Sequence, residues 1–297
     1  MKRLIASLFL LAALPASAAL SVFATVPEWA ALAREIGGDQ VKVFAATHGL
    51  QDPHRIEAKP SLIARARNAD LVVATGAELE AGWLPVVLRE SGNARVQPGS
   101  PGYFEAAKYV RMLEIPARVD RADGDVHAGG NPHIQTDARN FLTIGAALAQ
   151  QMAALDAANA GAYQAGYARF AAKWREALAR WEKAAAGLRG VPVVVQHKSF
   201  AYLFDWLGLR EVATLEPKPG IEASAAHVSQ VIAQTASVRP RLVLRAAYDA
   251  PRAAAGFAQR TGVPLAVLPF TVGGSEQATD LFGLFDDTLA KLTGTPQ

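Results

Sequence analysis

The sequence contains no cysteine in its 297 residues. Disulfides, thiolate zinc fingers, iron–sulfur clusters and thiol nucleophiles are thereby excluded. Charge is also sparse: 19% of the residues are charged, and the formal net charge is +3. No basic cluster with interleaved aromatics is present, so nothing points to nucleic acid as a partner. There is no His-Glu-x-x-His helix of the metalloprotease kind and no Gly-x-Ser-x-Gly nucleophile turn. Although 51% of the chain is hydrophobic, no segment reaches the ~20 consecutive apolar residues that a membrane span requires.

The apolar excess is partly local. Met1-Lys2-Arg3 is followed by a nearly unbroken apolar run from Leu4 to Leu14, then Pro15 and Ala16-Ser17-Ala18. A charged start, a short apolar stretch and an Ala-x-Ala site are the three parts of a secretory leader. Cleavage is expected after Ala18 or Ala19, leaving residues 1–19 outside the folded protein. With no cysteine at the junction, no lipid anchor is expected. The mature protein is expected to be soluble and periplasmic, outside the cytoplasmic membrane.

The mature chain reads as alternating strand and helix. Leu20–Ala24, Val41–Ala45 and Leu71–Thr75 are short apolar runs typical of buried parallel strands, separated by helical patterns at Pro27–Ile36 and from Ser61. Strand-like stretches follow over Tyr109–Val119, and then a Gly- and Asp-rich exposed loop from Asp120 to His133. One helix is expected from Asp137 to about Leu155. A second, from Asn159 to Gly187, carries Tyr163, Tyr167, Phe170, Trp174, Leu178 and Trp181 on one stripe. The α/β rhythm then returns, with strands at Val191–Val195, Leu242–Leu244 and Leu265–Leu268 and a last helix from about Gln277 to Leu292. The fold class is therefore α/β: two α/β lobes, each with a mainly parallel sheet, joined by a long rigid helix. The expected boundaries are 20–157 for the N-terminal lobe, 158–187 for the connecting helix and 188–297 for the C-terminal lobe.

In open α/β sheets, ligands bind beyond the carboxyl ends of the strands. With two lobes, that rule points to the cleft between them. Three histidines stand in such places. His54 follows Val41–Ala45 within Gln51-Asp52-Pro53-His54. His133 ends Gly130-Asn131-Pro132-His133 just before a helix. His197 directly follows the strand Val191–Val195. Proline stiffens the first two loops, and neutral imidazole is the commonest protein ligand of zinc. From spacing alone, these residues can equally be ordinary hydrogen-bonded histidines.

Longer stretches carry a resemblance. Asp52-Pro53-His54-Arg55-Ile56-Glu57-Ala58-Lys59-Pro60-Ser61 resembles the first metal-ligand loop of the zinc/manganese solute-binding proteins of ABC importers. Asn131-Pro132-His133 resembles the second ligand motif. His197-Lys198-Ser199-Phe200-Ala201-Tyr202-Leu203 resembles the third, and Glu216-Pro217-Lys218-Pro219-Gly220-Ile221-Glu222 resembles the Glu-Pro turn before a helix of the second lobe. The resemblance covers essentially the whole mature chain, in order. It implies a metal site in the interlobe cleft, with His54, His133 and His197 as metal ligands. In the family that this resemblance names, manganese importers tend to place a carboxylate at the third position and zinc importers a histidine, so His197 points to zinc, in line with ligand chemistry.

The fourth ligand departs from the family pattern. Thr271 stands where an aspartate is frequent, leaving Glu276, less favourably Asp280, or water. Both acidic residues have an ordinary alternative role as stabilising charge at a helix N-terminus. Asp52 fits a turn-shaping role or a bond to a ligating imidazole. The loop from Asp120 to His127 fits either a metal-collecting segment or a solvated connector. The resemblance implies a non-enzymatic monomer that captures Zn(II) as transported ligand and delivers it to the membrane permease of an ABC importer. The alternatives are a secreted zinc hydrolase with a three-His site and a manganese or iron carrier of the same fold.

Overall fold

The computed structural model describes residues 18–118 and 126–294. The expected leader lies outside the described residues except for Ala18 and Ala19, and so does most of the Asp120–His127 loop.

The first half of the chain runs β1 (Leu20–Ala24), α1 (Pro27–Gly37), β2 (Val41–Ala45), α2 (Pro60–Arg67), β3 (Leu71–Ala74), α3 (Leu84–Ser91) and β4 (Tyr103–Glu105). Its sheet has the order β2-β1-β3-β4, with every pairing parallel. All four residues of β3 are buried, as expected for a strand covered by helices on both faces. Two helices follow, α4 (Asn140–Leu155) and α5 (Ala160–Ala184). The second half runs β5 (Pro192–Val195), α6 (Ala201–Leu207), β6 (Arg210–Thr214), α7 (Ala225–Thr235), β7 (Leu242–Ala246), α8 (Arg252–Thr261), β8 (Leu265–Leu268) and α9 (Leu281–Thr293). Its sheet repeats the first, in the order β6-β5-β7-β8, again all parallel.

Helix α5 has 25 residues, which at 1.5 Å rise is about 37 Å. Its stripe Tyr163, Phe170, Trp174, Leu178 and Trp181 is buried, while Tyr167 is half-buried and donates its hydroxyl to the Leu142 carbonyl at 2.9 Å. Tryptophan and phenylalanine rings link the halves. Trp29 of α1 lies 5.5 Å from Phe141 of α4, and Phe141 lies 5.3 Å from Trp174 and 5.8 Å from Phe285 of α9. Phe285 in turn lies 5.2 Å from Trp181 and 5.8 Å from Trp206 of α6. One buried apolar cluster therefore runs from β1 to α9. The α1–α5 contact is close because Gly166 carries no side chain: a Cβ there would stand 1.9 Å from the Ile36 carbonyl oxygen.

Two expectations are corrected. The described part of Tyr109–Val119 forms no strand; the edge strand is instead β4, paired with β3. The segment finds its backbone partners elsewhere: the Leu113 N–H donates to the Tyr202 hydroxyl and its carbonyl accepts from the Asn131 N–H. The last helix begins at Leu281 and not near Gln277, because Asp280 is its cap, accepting the Gly283 N–H at 2.8 Å. No helix among the described residues is long and apolar enough to cross a membrane.

Candidate metal centre

The three histidines singled out in the sequence meet. Their ring centres lie 5.3 Å apart for His54 and His133, 5.4 Å for His133 and His197, and 6.1 Å for His54 and His197. His54 is supplied by the loop beyond β2, His197 by the turn beyond β5, and His133 by the segment entering α4. The carboxyl ends of the two parallel sheets thus face one another across the cluster, as expected for ligand sites in open sheets.

Each imidazole is held by its Nδ1. Asp52 Oδ1 lies 2.9 Å from Nδ1 of His54 and also accepts the His54 backbone N–H at 3.0 Å. The two expected roles of Asp52, turn former and ring orienter, thus coincide in one oxygen. The Lys198 carbonyl lies 3.2 Å from Nδ1 of His133. Glu216 Oε2 lies 2.7 Å from Nδ1 of His197 and accepts the Gly220 N–H at 2.8 Å. With acceptors at all three Nδ1 atoms, the Nδ1–H tautomer is set and the Nε2 lone pairs are directed away from these partners. The Nε2 atoms of His54 and His133 are buried and have no hydrogen-bond partner.

The loops are pinned from both sides. Trp83 Nε1 donates to the Pro53 carbonyl at 3.0 Å. Asn131 Oδ1 accepts the His133 N–H, and its amide donates to Glu114 and to the Lys198 carbonyl. Tyr202 donates to the Asn131 carbonyl at 2.8 Å. Arg55 reaches across to the Gly220 carbonyl at 3.0 Å.

Electrostatics follow from this packing. Burial holds His133 well below the ordinary imidazole value, and the neighbouring histidines push it the same way. Burial also depresses His197, but the hydrogen bond and charge of Glu216 outweigh it, and the net direction is up. Burial raises Asp52, yet its bonds to His54 prevail and bring it down. Asp249, on the wall of the cleft, is pushed up to about 6 by burial.

Two cavities flank the rings. One, of about 250 Å³, is bordered by His54, His197 and the carboxylates of Asp52, Glu216, Glu222 and Asp249. The other, of about 210 Å³, is bordered by His133, His197, His127, Glu114 and Asn131. Imidazoles bound to one tetrahedral zinc through Zn–N bonds of about 2.0–2.1 Å have ring centres about 5 Å apart. The observed spacing is close to that. Among the described residues, no group of three or more His, Asp or Glu side chains is already set to hold a metal ion.

The structure does not bring Glu276 or Asp280 to the rings. Glu276 is exposed and borders neither cavity. Asp280 is spent as the cap of α9. The Thr271 hydroxyl donates to Oε2 of Glu28, a buried residue of α1 whose carboxyl burial raises to about 7. Glu28 escaped the sequence reading, and His127 entered it only as the end of a loop read as metal-collecting or solvated. Glu28 stands in the first turn of a helix behind Pro27, where a carboxylate reads as ordinary dipole stabilisation. His127 lies in a polar loop, yet its ring stands 5.3 Å from that of His54, at 30° to it.

Residues 22–294 match the model of the family described as ZnuA, zinc-uptake complex component A, periplasmic. The chain belongs to the ZnuA family. ZnuA-family proteins are metal-binding, extracytoplasmic substrate-binding components of ABC transporters and not enzymes, which leaves the hydrolase alternative without support. The ZnuA-like chain is 21% identical over 228 residues to the iron ABC transporter substrate-binding lipoprotein MtsA of Streptococcus pyogenes, covering 74% of this chain and 70% of that one. Its fold is that of a crystal structure of ZnuA, with a TM-score of 0.77 at 21% identity, covering 94% of this chain and 100% of that one. It is also that of FpvC from Pseudomonas aeruginosa in complex with Mn2+, with a TM-score of 0.78 at 22% identity, covering 93% and 97%.

Proposed function

We propose that this ZnuA-family chain captures Zn(II) outside the cytoplasmic membrane and delivers it to the permease of an ABC importer, binding the ion through Nε2 of His54, His133 and His197. One observation carries the reading. All three Nδ1 atoms are engaged by acceptors, and two of the Nε2 atoms are buried with no partner. A buried nitrogen left unpaired costs free energy, and a metal ion is the ligand class that three lone pairs at this spacing suit. A nitrogen-rich set favours zinc over manganese, which prefers carboxylate and water oxygens. The carboxylates Asp52 and Glu216 sit behind the rings, where they raise ligand basicity and offset the charge of the ion.

The test is metal content and competition titration on the mature protein. One equivalent of zinc is expected, held against excess manganese and ferrous iron, the metals named for two of the relatives. H54A, H133A and H197A are each expected to weaken zinc binding severely. Unchanged affinity in all three variants overturns the ligand assignment. Preferential retention of manganese or iron overturns the metal assignment.

A further inference from the structure

The chain turns sharply after β3. Gly76, Ala77 and Glu78 have φ of +80°, +48° and +68°, and two of the three carry side chains that disfavour such a backbone. The turn is held by a buried carboxylate. Glu80 accepts the N–H groups of Thr75 and Gly76 at 2.8 and 3.1 Å and the Thr25 hydroxyl at 2.7 Å. Strain that is paid for in this way gives the turn a fixed shape, and the shape aims Glu78 at the segment entering the metal centre. Glu78 Oε2 accepts the Ala128 N–H at 2.6 Å. Gly129 lies on Ala77, where a Cβ would be 3.6 Å from the Ala77 Cα. The His127 carbonyl closes a tight turn by accepting the Gly130 N–H at 3.1 Å. His127 is thereby set beside His54 and shares the 210 Å³ cavity with His133 and His197.

Four of the carboxylates around the cluster already hold other partners, and Glu222, the fifth, is exposed. Asp52 and Glu216 hold Nδ1 atoms, Glu114 is paired with Lys198 at 2.8 Å, and Asp249 accepts the Ala246 N–H at 2.8 Å. We propose that His127 supplies the fourth ligand, closing a four-imidazole site, and that Glu78 is the positioning residue that keeps the loop carrying His127 over the other three rings. The inference rests on the metal-capture reading above. It makes the fourth ligand a donor on the segment that Glu78 holds, so that the ion gains or loses that bond without movement of either sheet.

The experiment uses the mature protein loaded with zinc. Zinc K-edge absorption counts the imidazoles, chelator competition gives the affinity, and stopped-flow transfer to a chromogenic chelator gives the release rate. H127A and H127N are expected to lower the count from four to three and to weaken binding ~10–100-fold, with far-UV circular dichroism unchanged. E78A is expected to speed release with the count still four. E78Q, whose amide oxygen still accepts the Ala128 N–H, is expected to release at the wild-type rate. In the H127A background, E78A is expected to add nothing. Unchanged count and affinity in both His127 variants, while H54A, H133A and H197A abolish binding, overturn this inference and leave metal capture intact. Loss of no binding in any of the four positions overturns the capture reading itself. An E78A effect of equal size with and without His127 overturns the positioning role.

Discussion

Glu216 Oε2 sits 2.7 Å from Nδ1 of His197 and 2.8 Å from the Gly220 N–H, so one carboxylate fixes both a ring and the turn behind it. E216A removes the acceptor that sets the His197 tautomer. Zinc affinity is expected to fall ~10–100-fold, the usual effect of removing such a partner. E216Q keeps an acceptor oxygen and is expected to fall less. Chelator competition on both variants checks the order; equal affinities for wild type and E216A refute it.

A second contact joins the loop beyond β2 to the loop beyond β8 through backbone alone. A Cβ on Gly49 would lie 2.1 Å from the Gly273 carbonyl carbon, so the two loops touch only because Gly49 carries no side chain. G49A is expected to cost about 1–3 kcal/mol in urea denaturation, as overpacking does, and to speed zinc release. G187A serves as a comparison for added backbone restraint, since a Cβ at Gly187 meets nothing within 4 Å and its φ is not positive.

Glu28 links stability to pH. Burial first, then the nearby charge of Glu80, raise its carboxyl from the ordinary 4.5 to about 7, against the bond from Thr271. The folded chain therefore keeps this proton across a window where the unfolded chain has lost it. The resulting stabilisation is full below pH 4.5 and is lost as pH rises towards 7. E28Q retains an acceptor for Thr271 and has no proton to lose. The stability of E28Q relative to wild type is expected to rise by about 1.4 kcal/mol per pH unit across that window. Denaturation at pH 5, 6, 7 and 8 measures the slope; a difference independent of pH refutes it.

Removal of the metal is expected to lower Tm. A ligand present at a hundred times its Kd stabilises the folded state by about 2.7 kcal/mol, which for a chain of this size is several degrees. Scanning calorimetry with and without chelator checks this. The H54A, H133A and H197A triple variant is expected to melt at one temperature whether or not zinc is added.

Legibility in the sequence followed apolar content. Strands β1, β2 and β8 coincide with apolar runs read directly, although β2 and β8 lie at sheet edges and β2 carries the exposed Lys42. Of the four edge strands, β4 and β6 went unread. They are short, and Glu105, Arg210 and Glu211 break the apolar pattern. Helix α3 was also missed, since Pro85 and the preceding turn hide its start. The three histidines were legible because each follows a recognisable strand end or a proline-stiffened loop. Their Nδ1 partners were less so: Asp52 is two residues from His54, but Glu216 is 19 residues from His197, and Lys198 contributes only a carbonyl. His127 owes its position to the left-handed turn at 76–78, about 50 residues away, and no local pattern encodes that distance.

The ring-to-ring contacts that run from Trp29 through Phe141 and Trp174 to Phe285 and Trp206 also bear on how the chain comes apart. Each sheet has a core of its own on one face, but on the other faces the two halves share one cluster, into which α5 sends Phe170, Trp174 and Trp181. Cutting the chain within α5 would leave two fragments, each with an uncovered apolar face, so neither half is expected to fold as an independent unit. Melting of the intact protein is accordingly expected as a single cooperative transition, with near-UV and far-UV signals lost together.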